Sequence, residues 1–189
     1  MGTIENRLKN INNEDEKTVR ILTSQHIDLL AEAYKAMGKN SNVPSAYKRG
    51  AAASEKMVKR FGGIAKNTHM ITTIVYYYTN AGNPVAARKF LEESMAEAKD
   101  YWPVYSNYAK ILISNGELDK AMKYAKKAYQ LAEDIAKPKV AFVIADILIT
   151  KGEIDAAMKV LKDEQAAIGA NPAGRAKSIA KQLNDRIKE

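Results

Sequence analysis

Cysteine is absent from this chain of 189 residues, so it forms no disulfide bond and offers no thiolate to a metal or a redox reaction. Long hydrophobic runs are absent as well, and no stretch approaches the roughly 20 apolar residues that a membrane-spanning helix requires. The first residues contain no apolar segment of signal-peptide length. This pattern favours a cytoplasmic protein, although a signal peptide already removed would leave no trace.

Charged residues are plentiful and largely mixed in sign along the chain. There are 30 basic and 22 acidic residues, which gives a formal charge of +8. We expect most of them to lie on an ordinary solvated surface. The positive excess nevertheless biases the chain toward anionic partners, such as an acidic protein segment, nucleic acid or acidic lipid.

Four glycines mark a recurring unit of the sequence. Gly38, Gly82, Gly116 and Gly152 each end a segment whose apolar residues recur at helical spacing, and the intervals between them are 44, 34 and 36 residues. Self-similarity at this period is typical of stacked helical hairpins. The sequence therefore predicts pairs of antiparallel helices with a turn at each glycine.

The segments around these glycines align by their apolar positions. Before each glycine, offsets of 3, 4 and 7 residues place four side chains on one face of a first helix. Beyond each of the three later glycines, an alanine is followed four residues later by an aliphatic residue. The first-helix positions are Ile27, Leu30, Ala31, Tyr34, Ile71, Ile74, Val75, Tyr78, Tyr105, Tyr108, Ala109, Leu112, Ala141, Ile144, Ala145 and Leu148; the second-helix positions are Ala87, Leu91, Ala121, Ala125, Ala157 and Leu161.

This arrangement resembles the tetratricopeptide repeat (TPR), whose pattern W-x2-L-G-x2-Y followed by A-x3-F extends over 34 residues and two antiparallel helices. Two successive copies read YSNYAKILISNGELDKAMKYAKKAYQLAE and AFVIADILITKGEIDAAMKVLKDEQAAIG. The tryptophan and the glycine of the pattern are replaced in each copy. The resemblance implies an all-α fold, a right-handed α-solenoid of antiparallel helix pairs with a C-terminal capping helix.

We expect a single domain built from four parts. Residues 1–12 are predicted to be an N-terminal extension that is disordered or docks elsewhere. Residues 13–63 form a degenerate first hairpin, in which Gly50 stands where a bulky residue is expected. Residues 64–171 form three TPR-like repeats, and residues 172–189 form a solitary capping helix that covers the apolar end of the stack.

The run Tyr76-Tyr77-Tyr78 has the aromatic composition of a β-strand. The repeat spacing predicts a helix instead, because packing overrides intrinsic propensity. In that helix Tyr78 occupies the aromatic position that faces the second helix. Tyr76 then projects toward the inner surface of the repeats, and Tyr77 lies on the flank.

No residue pattern indicates catalysis. His26 and His69 lack a carboxylate at metal-ligand spacing, and no glycine-rich phosphate loop occurs. The acidic pairs at 92–93, 133–134 and 163–164 are predicted on the solvated faces of second helices. We therefore predict a protein that is not an enzyme, with no catalytic residue, no metal site and no cofactor.

Proteins of this class bind partners on a concave surface, and the resemblance assigns that surface to first-helix residues between the packing positions. These residues mix hydroxyls, amides, aromatics and charges of both signs, which suits an extended peptide or a partner helix. The predicted groove consists of His69, Thr72, Thr73, Tyr76, Thr79, Asn80, Ser106, Asn107, Lys110, Lys139, Phe142 and Asp146, and the weaker first copy adds Gln25, Asp28, Glu32 and Lys35.

The predicted function is a protein–protein interaction module, an adaptor or scaffold that holds a protein or peptide partner in this groove. Two alternatives stay open. Lys120, Lys123 and Lys127 share one helix face with Tyr124 nearby, and such a basic face is suited to nucleic acid or an anionic surface. The chain is alternatively a structural subunit that self-associates, with its N-terminal segment docked in a neighbouring copy.

Overall fold

The protein is known from a computed structural model in which every described regular element is helical and none is a strand. The chain divides into two compact units, residues 1–99 and residues 100–189. This division falls between the first and the second of the three predicted TPR-like repeats. The described residues are 6–7, 10–11, 16–169, 181 and 185.

In unit 1, residues 1–99, the first helix whose bounds are described is long and contains an irregular segment. Helix α1 (Glu16–Ile21) continues through a π-helical segment (Leu22–His26) into α2 (Ile27–Ala36). The region 76–78 is helical, as the repeat spacing predicts. The other elements with described bounds in unit 1 are a 3-10 turn (Asn40–Asn42), α3 (Val43–Arg60), α4 (Gly63–Lys66), α5 (Met70–Asn80) and α6 (Pro84–Glu97).

Unit 2, residues 100–189, contains two helical hairpins among its described residues. Its elements are α7 (Trp102–Ser114), α8 (Leu118–Leu131), α9 (Lys137–Thr150) and α10 (Ile154–Ile168). Helix α8 packs against α7 and α9, and α9 also packs against α10. Proline stands in the first turn of α7 and of α9, where the N–H that proline lacks would have no helical acceptor.

The four recurring glycines end their helices in the same way. At Gly116 the φ angle is +74°, a left-handed conformation that glycine adopts readily. Its N–H donates to the Ile113 carbonyl at 2.9 Å, and the Glu117 N–H donates to the Leu112 carbonyl at 2.9 Å. This Schellman arrangement satisfies carbonyls that the helix end leaves without partners. Equivalent bonds and positive φ angles recur at Gly38, Gly82 and Gly152.

The predicted packing positions form the cores of both units. Ala87, Ala121 and Ala157 are at most 2% exposed, and so are the residues four positions after each of them. The first-helix positions are buried as well, except Tyr78 and Ile144, which are half-buried. Alanine at these positions places little bulk between the packed helices.

Gly50, which stands where the repeat pattern has a bulky residue, has a packing explanation. Helices α2 and α3 pack together, and a Cβ at Gly50 would lie 2.8 Å from Cγ2 of Ile27. Ile27 is fully buried in the core of unit 1, and its branched carbon cannot swing away freely. The glycine therefore allows an approach of the two helices that a larger residue would prevent.

Tyr77 is buried, which corrects the prediction that it lies on the flank of its helix. Its side chain is 1% exposed, and its hydroxyl donates to the Thr23 carbonyl at 2.7 Å. Thr23 lies in the π-helical segment, whose hydrogen bonds extend over one residue more than those of an α-helix. This bond ties α5 to the interior of the first long helix.

The two chain ends are described only in part. Of the predicted capping helix, 172–189, the structure describes residues 181 and 185, and the rest of it lies outside the described residues. Asn13, the first residue of the predicted first hairpin, also lies outside them. In the predicted extension, 1–12, Ile11 is described and is 4% exposed. The predicted domain boundaries stay predictions.

Candidate binding surfaces

Helix α5 carries the first part of the predicted groove on unit 1. Its residues Ile71, Ile74 and Val75 are buried, so the positions between them turn away from the core. We call the resulting exposed surface the α5 strip. It consists of exposed His69, Thr72, Tyr76, Thr79 and Asn80 together with half-buried Thr73.

Two residues of the α5 strip bond to their own helix. The Thr79 hydroxyl donates to the Val75 carbonyl at 2.9 Å, and the Asn80 amide donates to the Tyr76 carbonyl at 2.8 Å. Such bonds to the residue four positions earlier are frequent for short polar side chains in helices. Because these donors are engaged, the two side chains present fewer donors to a partner than their composition alone indicates.

A shallow pocket of about 220 Å³ lies next to the α5 strip. It is lined by Asp28 of α2 together with Thr72, Thr73, Tyr76 and Tyr77 of α5. Asp28 Oδ1 is buried and has no hydrogen-bond partner in the part of the chain that the structure describes. The pocket thus combines one carboxylate with two threonine hydroxyls and two tyrosine side chains.

Three tyrosines cluster around this pocket. The ring centroids of Tyr47 and Tyr76 are 5.8 Å apart with an interplanar angle of 86°, and Tyr77 lies 5.9 Å from Tyr47 and 5.7 Å from Tyr76. Edge-to-face and tilted pairs at these distances stabilise aromatic clusters. Tyr76 remains 45% exposed, so it presents part of its ring to solvent.

The pocket environment holds the buried tyrosines in their protonated form. Burial raises the pKa of Tyr77 above that of a free tyrosine, and the negative charge of Asp28 raises it further. Burial also raises the pKa of Tyr47, and the Tyr76 hydroxyl 3.5 Å away adds to the effect. Both phenols therefore remain neutral hydrogen-bond donors well above neutral pH.

Helices α7 and α9 of unit 2 carry the remaining predicted groove residues. Lys110 and Lys139 are exposed. Asn107 is half-buried, and its amide donates to the Pro103 carbonyl at 2.9 Å. Ser106 is only 5% exposed, so it offers little surface to a partner.

Phe142 and Asp146 of α9 are half-buried. Phe142 packs against the apolar cluster that α9 and α10 form in the core of unit 2. Its ring therefore stabilises the fold, and only its remaining surface is accessible to a partner. Among the predicted residues of unit 2, the two exposed lysines present the most accessible groups.

Glu164 corrects the prediction that all three acidic pairs are solvated. Its residue is 7% exposed, and the Tyr129 hydroxyl of α8 donates a hydrogen bond to its carboxylate. This bond, together with burial, raises the pKa of Tyr129 to about 12. The signal was present in the sequence, because Glu164 follows Ala157 by seven residues and Leu161 by three, which places it on the buried face.

The basic face of α8 is partly engaged within unit 2. Lys120 Nζ lies 2.7 Å from Glu117 Oε2, and Lys127 Nζ lies 4.2 Å from the centroid of the Tyr105 ring. Lys123 and Lys126 are exposed and have no ion-pair partner within the described ranges. A depression of about 590 Å³ is lined by Lys123, Tyr124, Lys126, Lys127, Gln130 and Leu131.

Comparison with known families identifies the repeat. A tetratricopeptide repeat family model matches residues 79–128, from the end of α5 into α8. The match includes the buried alanines Ala87 and Ala121 and the turn at Gly116. The chain is TPR-like.

One solved structure similar to this TPR-like chain is described as the crystal structure of MamA protein. The alignment has a TM-score of 0.43 and 18% sequence identity, and it covers 77% of this chain and 92% of that chain. A comparison with curated proteins gives no significant match. Among the residues described for the TPR-like chain, no helix has the length and apolar character needed to cross a membrane.

Proposed function

We propose that this TPR-like chain is a non-enzymatic adaptor that binds a peptide or a partner helix, with the α5 strip as a principal contact surface. The TPR-like repeats support a protein–protein interaction module. The repeat class is generally non-catalytic, which supports an adaptor over an enzyme. In unit 2, exposed Lys110 and Lys139 are proposed as further contacts.

The observation that carries the proposal is the exposure of Tyr76 beside a pocket. The residue is 45% exposed although two other tyrosines pack against its ring. A large ring held by its neighbours supplies contact area to a partner and loses little side-chain freedom on binding, which is why tyrosine is enriched among residues that dominate binding energy. The neighbouring pocket gives a partner side chain a place to enter.

Selection of peptides from a random library on the full chain tests this proposal. The selected peptides are expected to bind wild-type protein and to lose about tenfold or more affinity for Tyr76→Ala, since an aromatic anchor contributes strongly to binding. Fluorescence anisotropy with labelled peptides measures the affinities. Val85→Ala is the matched control, because Val85 is 77% exposed on α6 and lies outside the α5 strip.

The two variants separate the outcomes of this selection. Affinity that falls for Tyr76→Ala and not for Val85→Ala supports the α5 strip. Affinity that stays the same for both variants contradicts a principal role of the strip. Failure to select any peptide contradicts the peptide-binding function itself.

A second candidate function is the binding of nucleic acid by the basic face of α8. It is favoured by exposed Lys123 and Lys126 on either side of Tyr124, since cations next to an aromatic ring suit a single-stranded backbone and its bases. The Lys123→Gln/Lys126→Gln variant should weaken binding of single-stranded RNA and lower the slope of log affinity against log salt by about 2. Equal affinity and equal salt slope in the wild-type protein and the variant would exclude the basic face of α8 as the RNA-binding site.

A further inference from the structure

The described lining of the pocket next to the α5 strip has one charged side chain, and its charge is negative. That side chain is Asp28, and none of the described lining residues is cationic. Asp28 Oδ1 is buried and has no hydrogen-bond partner among the described residues, while the Tyr47 hydroxyl interacts with the same carboxylate. A buried carboxylate oxygen without a donor costs free energy, which a guest with a suitable N–H would recover.

The same pocket presents aromatic rings next to the carboxylate. Tyr76 and Tyr77 line it, and the ring of Tyr47 lies within 5.9 Å of both. The face of a tyrosine ring attracts a cation through its quadrupole, and the attraction grows where water is excluded. The pocket therefore combines two features that each favour a positively charged guest.

The size of the pocket restricts what that guest is. A space of about 220 Å³ is much larger than the roughly 30 Å³ of a water molecule, so it is poorly matched to a single ion. It is smaller than the roughly 300–1,000 Å³ of typical small-molecule sites, and it opens to solvent. A side chain that projects from a bound peptide fits these dimensions.

We propose that this pocket binds an arginine side chain of the peptide partner, an inference that rests on the proposed function of the α5 strip. The guanidinium donates a hydrogen bond to Asp28 Oδ1 and lies against the ring of Tyr76. Arginine is favoured over lysine because its planar, weakly hydrated guanidinium stacks on aromatic rings and donates within its plane. The overall charge of +8 favours partners that are acidic overall. The pocket adds a separate requirement, one basic side chain at the position of the partner that enters it.

Two short peptides test the inference on the full wild-type chain. One is a pentapeptide with a central arginine and two glycines on each side, acetylated at its N-terminus and amidated at its C-terminus. The other carries citrulline, a neutral analogue of similar shape, in place of the arginine. In backbone amide NMR spectra the arginine peptide should shift the resonances of Thr72, Thr73 and Tyr76. The citrulline peptide should bind about tenfold more weakly, because its urea lacks the charge that strengthens a hydrogen bond to a carboxylate.

Two variants of α2 assign the preference to a single carboxylate. Asp28→Asn should bind the two peptides equally, since the substitution removes the charge and keeps the shape. Glu32→Gln is the matched control, because Glu32 is exposed on the same helix and does not line the pocket. It should retain the tenfold preference for the arginine peptide.

The inference is overturned if wild-type protein binds the two peptides equally, a comparison that requires no substitution and no assumption about folding of a variant. It is also overturned if Asp28→Asn keeps the preference. Some library peptides could require Tyr76 and yet have the same affinity for Asp28→Asn as for wild type. That result would leave the adaptor function intact and remove the arginine pocket. If the protein instead binds the arginine peptide but no library peptide is selected, the arginine pocket stands and the adaptor function is removed.

Discussion

At the scale of single residues, tyrosine hydroxyls hold neighbouring helices together inside each unit. In unit 1 the hydroxyl of Tyr77 donates to the Thr23 carbonyl, and in unit 2 that of Tyr129 donates to the Glu164 carboxylate. Both acceptors belong to buried residues, Thr23 at 0% and Glu164 at 7% exposure, where a lost donor is not readily replaced by water. Each phenol therefore contributes a hydrogen bond in addition to its apolar area.

Tyr77→Phe should lower the free energy of unfolding by about 1–3 kcal/mol, because the substitution leaves the buried Thr23 carbonyl without this donor. Urea denaturation followed by circular dichroism measures the change. Tyr76→Phe is the adjacent control, since its hydroxyl makes only a long 3.5 Å contact and its ring is partly exposed. Its effect should stay within about 0.5 kcal/mol. Equal losses in the two variants would contradict a special role for Tyr77.

The stabilising contribution of Tyr129 should be lost in alkaline solution. Its pKa rises from 10.0 to about 12 in the folded chain, chiefly because its hydroxyl donates to Glu164. The folded state therefore holds the proton more tightly, and the resulting stabilisation is complete below pH 10 and is lost as the pH rises to 12. The Tm of wild-type protein should fall more steeply over this interval than that of Tyr129→Phe. Parallel Tm curves would contradict the raised pKa.

The residue-scale features differ in how far the sequence predicts them. Burial of Glu164 follows from helical spacing alone. Burial of Tyr77 does not, because the repeat pattern selects Tyr78 from the three tyrosines and contains no information about the carbonyl of Thr23. The pocket at Asp28 brings together residues more than 40 positions apart, so no local pattern reports it.

At the scale of helices, periodic spacing predicts packing well and irregularities poorly. The buried alanine positions and the glycine turns follow from a repeat period read directly from the chain. The π-helical segment, Leu22–His26, has no such signal, because one additional residue in a helical turn does not change the composition. The close approach at Gly50 was visible only as a departure from the repeat pattern.

Gly116→Ala should lower the free energy of unfolding by about 1–2 kcal/mol, because a Cβ at a φ of +74° approaches the following carbonyl. No other atom lies within 4 Å of the added carbon, so the effect isolates the backbone conformation. Gly116→Asn should cost less, since asparagine enters the left-handed region more readily. Thermal unfolding followed by circular dichroism measures both. A larger loss for asparagine than for alanine would indicate a steric cause instead.

At the scale of the whole molecule, the chain consists of two compact units rather than one undivided block of contacts. Each unit contains its own buried side chains and its own interhelical tyrosine bond. Compact regions with a separate apolar core are generally able to fold alone. The repeat pattern did not predict this division, because the spacing of apolar residues is the same on both sides of it.

A fragment of residues 1–99 should therefore be helical and unfold cooperatively, with circular dichroism against temperature as the measurement. It retains α2, α3 and α5, which form the core of unit 1. A fragment of residues 1–66 is the control. It lacks α5 and Tyr77, so it should show no cooperative transition. Gradual melting of the 1–99 fragment would contradict independent folding of unit 1.

The π-helical segment, Leu22–His26, is the part of the first long helix in which the loss of one residue disturbs the packing least. Its hydrogen bonds extend over one residue more than those of an α-helix, so removal of one residue leaves an ordinary α-helical turn. Val19, now 1% exposed, would then keep its place in the core, whereas the loss of one residue from α2 would rotate it by about 100°. We expect a descendant sequence that has lost one residue within 22–26 to keep its upstream apolar stripe unchanged.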